Sequence, residues 1–518
     1  MTSDRSARLP SPSDPVDLLI VGSGIMGAGV ARLVRERLPL ARIVMVDGGP
    51  VIGARPGEHL HDTTDPDLWN HYNQRTSSGI QSLYLGAEVT GELVDDIRLA
   101  APGMLGLGVL GEDEDGMPSA ALAWNTGGMG VHWTAATPSP WGDEVFDGGD
   151  VEGWASDLEQ AGRLLGVRDS PLGPTNVGSL VLDALGETFG AAAAPGRAPR
   201  AMPMAITPAP DGWLRRTGPA AIFPPIGGAA DDAFRLLPDT LAMAIEHDGA
   251  RVSGVRVRDV RTGEERAIHA HEVVVAADTM RTPQLLFASG IRPPALGRRL
   301  NEHAFLTGRV LLDLERFGLQ PSDLPRRRPG EWSTDSLWLP HSGADQPFHG
   351  QIMSTTYVDD EGAPLAHSVG LSWYVPVESR DENRLEFSET DLDAAGLPRI
   401  SVRFGYSERD LAMIELARAS QRRAAEALGA FDAEVESALL PPGSSLHFTG
   451  TVRMGPVDDG TSVCGPDARV WGFDNLALAG NGVIPTAVVC NTTLTGAVTA
   501  VRAARGVVSR LAATVPVA

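Results

Sequence analysis

The stretch Val16–Gly49, VDLLIVGSGIMGAGVARLVRERLPLARIVMVDGG, leaves the chain few folds to choose from. Leu18–Val21 is a continuous apolar run of the kind buried on both faces of a parallel sheet. A helix is predicted from Ile25 to Leu38, and IVMVD supplies a second strand. Gly22, Gly24 and Gly27 have GxGxxG spacing, and Asp47 follows twenty residues after the last of them. Each residue has a physical task in a dinucleotide site. The first glycine makes the tight turn, the second admits a pyrophosphate to the helix N-terminus, the third lets helix pack on strand, and the acid accepts from a ribose hydroxyl. Glycines that serve only a tight turn are the alternative, which the strand–helix–strand–acid context disfavours.

Composition narrows the chemistry. The 518 residues suffice for two or three domains. A net charge of −23 argues against nucleic acid and anionic lipid as partners. All 43 basic residues are arginine, which excludes a Schiff-base lysine, a phosphate-loop lysine and a lysine general base. Cys464 and Cys490 have no CxxC spacing and read as reduced thiols. The polar N-terminal residues carry no uninterrupted apolar segment, and no run is long enough to span a bilayer, so a cytoplasmic protein is expected.

Further along, RVSGVRVRDVRTGEERAIHAHEVVVAA alternates around a turn and ends in a buried strand, Val273–Ala277. It reads as a meander returning to the parallel sheet. Residues 191–210 and 321–332 are rich in Pro, Ala and Gly and are expected to be loops or lid segments. A long amphipathic helix is expected from Asp410 to Gly429, with Met413, Leu416, Ala417, Ala424 and Leu428 on its buried face. Sheet-forming pieces at both ends and in the middle imply a discontinuous nucleotide domain.

Two segments carry candidate chemistry. In TGGMGVHWT (126–134), glycines that let backbone approach a flat group precede His132, Trp133 and Thr134. In the C-terminal region His447 heads a small-residue loop, SSLHFTGTVRMG, and Asn491 follows a strand at 476–479 and the loop GNGVIPT. That loop leads to a final helix whose free N–H groups can face a cofactor carbonyl or an anionic flavin ring.

Taken with VVVAADTMRTPQLLFASGI, LGRRLNEH, QPFHGQI, ENRLEFSETDLDAAGLP, RVWGFDNLALAGNGVIPTA and NTTLTG, these segments resemble the glucose–methanol–choline flavoprotein oxidoreductases, in particular their pyranose oxidase-like branch. The blocks cover both ends and the middle of the chain. The resemblance implies a two-domain α/β fold of mixed helices and sheets. A Rossmann-type FAD-binding domain (16–135, 242–310 and 441–518) would follow a disordered tail (1–15), and a substrate-binding domain of sheet plus helices would occupy 136–241 and 311–440. It implies FAD as cofactor, with Gly128, Met129, His132, Trp133, Thr134, Ala277, Asn481 and Thr492 joining Gly22, Gly24, Gly27 and Asp47 around it. His132 stands where a covalent link to the flavin occurs in the branch; simple stacking beside the ring is the alternative. His447 and Asn491 would be the catalytic pair. His447 would take the sugar hydroxyl proton with a pKa near the ordinary 6.5, and Asn491 would hold the hydroxyl.

The implied activity is oxidation of a secondary hydroxyl of a sugar or glycoside, C-glycosides included, at carbon 3 in preference to carbon 2. Molecular oxygen would be the acceptor and hydrogen peroxide a product. A dehydrogenase passing electrons to a quinone or protein is the alternative. A monomer or small homo-oligomer is expected, with a glycoside-cleaving enzyme consuming the product. Asp278 and Thr492 depart from the family's usual glycine and proline, and residues 354–367 occupy the family's mobile substrate loop in a different sequence. No metal site is expected: the pairs His59/His61 and His269/His271 read as surface histidines, and Arg326–Arg328 as a solvated loop face.

Overall fold

The computed structural model describes residues 15–63, 65–69, 92–147 and 150–512; the expected tail lies outside them except for Pro15. Strand Val16–Val21 forms as the apolar run requires. It pairs in parallel with Ile43–Val46 on one side and with the end of Glu265–Val275 on the other. Helix Ile25–Arg37 begins at Gly24, as the glycine spacing predicts. The larger sheet has seven strands. Phe234–Leu237 flanks Ile43–Val46, Leu476–Leu478 pairs with Glu265–Val275, and the antiparallel strands Val252–Asp259 and Thr240–His247 complete it. The meander around 252–275 is therefore present, and the C-terminal strand closes the sheet. Helix Thr493–Leu511 packs over it against Ile25–Arg37.

The second sheet has six strands, ordered Ser437–Leu439, Ala304–Leu311, Pro364–Val375, His349–Val358, Asp335–Leu339 and Arg200–Ala201. Alternation divides its faces. Leu306, Leu371 and Trp373 enter an apolar core under helices Asn176–Phe189 and Glu408–Leu428. Their neighbours Phe305, Thr307, Gly370 and Ser372 line an open cavity instead.

Several expectations are corrected. Phe234–Leu237 joins the nucleotide sheet, and Ala304–Leu311 belongs to the other sheet, so the boundaries at 242 and 310 move to either side of those strands. Residues 136–241 do not build a core solely with 311–440. Helix Val151–Leu165 is amphipathic and sends Trp154, Ala161 and Leu165 into the core of the nucleotide sheet, while its Asp157 pairs with Arg502 at 3.0 Å. On helix Glu408–Leu428, Leu416 is exposed and Ile414 takes the buried position. Residues 354–367 are no open loop but the end of a β-hairpin, its turn at 359–363, whose strands pair from His349 to Val358 and Pro364 to Val375. Among the described residues no helix is long and apolar enough to cross a membrane.

Candidate active site

The first strand–helix turn and the TGGMG segment are tied together by Ser23. Its backbone N–H and hydroxyl donate to Asp47 Oδ2 at 3.0 and 2.6 Å, and its Oγ accepts from the Gly127 N–H at 2.7 Å. Gly49 N–H donates to Asp47 Oδ1 at 2.9 Å. Burial pushes the Asp47 carboxyl above its ordinary pKa, against the pull of these donors. Gly22 has φ +103°, and a Cβ there would lie 2.3 Å from the Ala276 oxygen. Gly27 is just as constrained: its Cβ would meet the Gly22 oxygen at 2.1 Å. Gly24 and Gly128 differ in kind. Among the described residues a Cβ on Gly24 would meet only Gly127 O, at 3.7 Å, and one on Gly128 only Gly24 Cα, at 3.8 Å. The absent side chains there leave a slot rather than a packed contact.

That slot opens into a cavity of about 1180 Å³. Of the residues assigned to FAD or to catalysis from the sequence, all line it except Gly27, which packs helix on strand. Gly22, Gly24, Asp47, Gly128, Met129 and Ala277 share the cavity with His132, Trp133, Thr134, Asn481, Thr492, His447 and Asn491. His132 is buried and its Nε2 lies 2.8 Å from Asn125 Oδ1; Trp133 donates to the Thr217 oxygen at 2.8 Å. Asn481 donates to Thr492 Oγ1 at 2.8 Å. Thr492 caps the final helix without a side-chain bond to it, and Thr493 faces the cavity. Asp278 adopts φ +66°, the left-handed region that glycine takes at low cost. It is held there by accepting from the Met280 and Arg281 amides at 2.6 and 2.9 Å.

His447 and Asn491, 44 residues apart in the chain, meet at this cavity: Asn491 Nδ2 lies 3.3 Å from His447 Nε2. Asn491 Oδ1 accepts from His349 Nε2 at 3.0 Å. His447 Nδ1 lies 3.1 Å from His303 Nδ1, and Tyr374 stacks on His349 with ring centroids 5.3 Å apart. Burial lowers the His447 pKa to about 4, which corrects the expectation of a value near 6.5. The imidazole is therefore neutral through the physiological range and able to accept a proton.

The loop before Asn491 is fixed by Glu144. Its Oε1 accepts from the Val489 and Cys490 amides, each at 2.7 Å, and its Oε2 lies 3.1 Å from His341 Nε2. Glu144, His341 and Cys490 together form a buried set of ligand-type atoms within 4.8 Å of one another. Of the three, the sequence pointed only to Cys490, as a reduced thiol. Their atoms already serve hydrogen bonds: Arg197 Nη2 lies 2.9 Å from His341 Nδ1, and Cys490 donates to the Ser139 oxygen at 3.4 Å. A guanidinium at that point opposes a second cation.

His59 and His61 correct another expectation. Both are buried, His59 Nε2 against the Trp133 oxygen at 2.8 Å and His61 Nε2 at 3.4 Å from Glu331, which Arg216 holds with two bonds. His271 is exposed as expected, His269 half-buried, and Arg326–Arg328 exposed, with Arg327 at the cavity margin.

Models of one family, GMC oxidoreductase, match residues 226–305 and 379–500. A C-glycoside 3-oxidase from Microbacterium trichothecenolyticum is 38% identical over 506 residues, covering 96% of this chain and 97% of its own. The chain belongs to the GMC oxidoreductase family. A second C-glycoside 3-oxidase, from Arthrobacter globiformis, is 36% identical over 516 residues, covering 96% of this chain and 95% of its own. The fold of this GMC oxidoreductase is also that of Aspergillus oryzae RIB40 formate oxidase, with TM-score 0.64 at 15% identity over 97% of this chain and 99% of that one.

The glycine slot, the half-buried carboxylate at its end and the amides at the start of the final helix fit FAD, the cofactor of the family. FAD held there would supply an acceptor for a hydride. A hydroxyl placed between the Asn491 amide and the His447 imidazole would find a hydrogen-bond partner in the amide and an acceptor for its proton at His447 Nε2. His303, His349 and Tyr374 were not assigned roles in the sequence. His303 and His349 do lie inside the LGRRLNEH and QPFHGQI blocks, and that was the available signal.

Proposed function

We propose that this GMC oxidoreductase oxidises a secondary hydroxyl of a sugar or glycoside to the ketone, with oxygen as acceptor and hydrogen peroxide as the second product. The observation that carries the reading is the convergence of His447 Nε2 and Asn491 Nδ2, 3.3 Å apart, on the cavity that also holds the dinucleotide slot. Carbon 3 and glycosides, C-glycosides among them, are favoured for two reasons. Two relatives of nearly full coverage are named C-glycoside 3-oxidase. From Tyr374 beside His447, the cavity face of the hairpin continues through Ser372, Gly370 and Ser368 on one strand and Thr355 and Tyr357 on the other. A sugar ring fits against the His–Asn pair, and the aglycone extends along that face.

The decisive experiment is anaerobic mixing of the yellow holoenzyme with a panel of O- and C-glycosides and free sugars. Bleaching of the flavin and a 3-keto product support the reading; only 2-keto products from free sugars overturn the carbon and substrate assignment. Reoxidation by quinone but not by oxygen makes the protein a dehydrogenase. We further infer that FAD is held without a covalent bond. His132 Nε2 already bonds Asn125 Oδ1, and a link through that nitrogen has to break this contact. Flavin released into the supernatant on acid precipitation supports this, and a yellow pellet refutes it.

A further inference from the structure

Hydrogen bonds around His447 dictate which of its nitrogens carries the proton, and the chain of constraint starts at a backbone carbonyl. Val488 O can only accept, so His303 Nε2, 3.0 Å from it, is the donor. A neutral imidazole has one N–H, which leaves His303 Nδ1 a lone pair. That lone pair faces His447 Nδ1 at 3.1 Å. The contact is attractive only when His447 Nδ1 carries hydrogen, and its Nε2 is then the unprotonated nitrogen, turned to the Asn491 amide.

The other side of the site agrees independently. His349 Nε2 donates to Asn491 Oδ1, and His349 Nδ1 is buried without a partner. With the amide reversed, that orphan would be an N–H donor; as it stands it is a lone pair, the cheaper group to leave unpaired. Burial first, then the neighbouring histidines, hold His303 well below the ordinary histidine pKa, so a doubly protonated ring does not break the chain. The groups facing the two rings are His349, Tyr374 and, through Ser445 at the His447 backbone, Glu302.

We propose that His303 is a positioning residue that, anchored on the Val488 carbonyl, fixes His447 as its Nδ1–H tautomer and so makes Nε2 the base. The proposal rests on the reading of His447 as base. In the reaction the hydroxyl O–H bond breaks, its electron pair stays on oxygen, and the proton forms the N–H bond at Nε2. The Nδ1–H bond to His303 persists and stabilises the imidazolium. Val488 lies on the same loop as Asn491, three residues earlier, so one segment sets both members of the pair.

The test labels the histidines of the holoenzyme with nitrogen-15 and reads each tautomer from two-bond proton–nitrogen couplings, with His447→Gln assigning the signal. The wild type should show Nδ1–H at His447. His303→Leu should convert it to Nε2–H or a mixture, and lower the flavin reduction rate at saturating glycoside about tenfold or more with KM little changed. His303→Asn, whose Oδ1 occupies the acceptor position, should restore Nδ1–H and most of the rate. Nε2–H in the wild type overturns the proposal, as does a slower His303→Leu enzyme with an unchanged tautomer. Should His303→Leu fail to fold, the wild-type tautomer and the asparagine variant decide. A His447→Ala enzyme that still reduces its flavin at the wild-type rate sinks the base assignment separately, because the tautomer spectrum does not depend on turnover.

Discussion

His349 Nε2 donates to Asn491 Oδ1 at 3.0 Å, and this one bond decides that the carboxamide offers its NH₂ side to His447. Without it the amide is free to turn and present oxygen to the substrate hydroxyl. His349→Leu should therefore lower kcat/KM by about 10- to 100-fold, the range for one misaligned transition-state donor, while the flavin content of the purified protein stays at the wild-type level. Rapid-mixing reduction kinetics beside the absorbance spectrum check both.

Protonation of His447 sets the acid side of the pH profile. Burial holds its pKa at about 4, and the neutral ring is the active form. The logarithm of kcat/KM should rise with unit slope up to that pH and run flat above it, with no limb near 6.5, the value of an unperturbed histidine. Flavin reduction measured in the first milliseconds after a pH jump avoids confusion with acid unfolding. A clear limb between about pH 6 and 7 contradicts the burial of this ring.

The two kinds of glycine in the nucleotide slot should fail differently. At Gly24, φ is −66° and a Cβ meets nothing nearer than 3.7 Å, so Gly24→Val should fold. Its side chain then occupies the space between the two glycine segments. FAD content should drop to about a tenth of wild type or less, an affinity loss of at least 1.4 kcal/mol, with far-UV circular dichroism unchanged. Gly22→Ala puts a Cβ 2.3 Å from Ala276 O at φ +103° and should yield little folded protein at all.

These contrasts explain what the sequence could and could not convey. The strand Val16–Val21, its helix and Asp47 were legible because their constraints are local: a run, a spacing, an acid at a fixed distance. His447 and Asn491 were legible only through resemblance, since nothing between residues 447 and 491 encodes that a strand and a loop fold them to 3.3 Å. His59 and His61 misled because a polar-looking loop is buried by long-range partners, the Trp133 carbonyl and the Arg216–Glu331 pair. The hairpin at 349–375 was missed for a related reason. Its cavity face is deliberately small and polar, Ser368, Gly370 and Ser372, so half of the alternation that marks a strand was muted. Glu144 gave no signal, because it acts on backbone amides far along the chain.

The buried pair Arg216–Glu331 offers a test of what supports the cavity wall. Arg216 donates to the two Glu331 oxygens at 3.1 and 2.8 Å, its guanidinium lies 5.4 Å from the centre of the Trp332 ring, and Trp332 lines the cavity. Two desolvated charges in such a place gain little net stability from each other, but either one alone is expensive. Glu331→Gln should thus lower stability by about 3–5 kcal/mol, since it leaves the guanidinium buried without its counter-charge. The double replacement Arg216→Met with Glu331→Leu should be markedly less damaging than the single one. Denaturant unfolding of the three holoenzymes measures the difference. If the double variant is as unstable as Glu331→Gln or more so, the pair contributes directional bonding rather than charge balance, and the wall around Trp332 is held by those bonds.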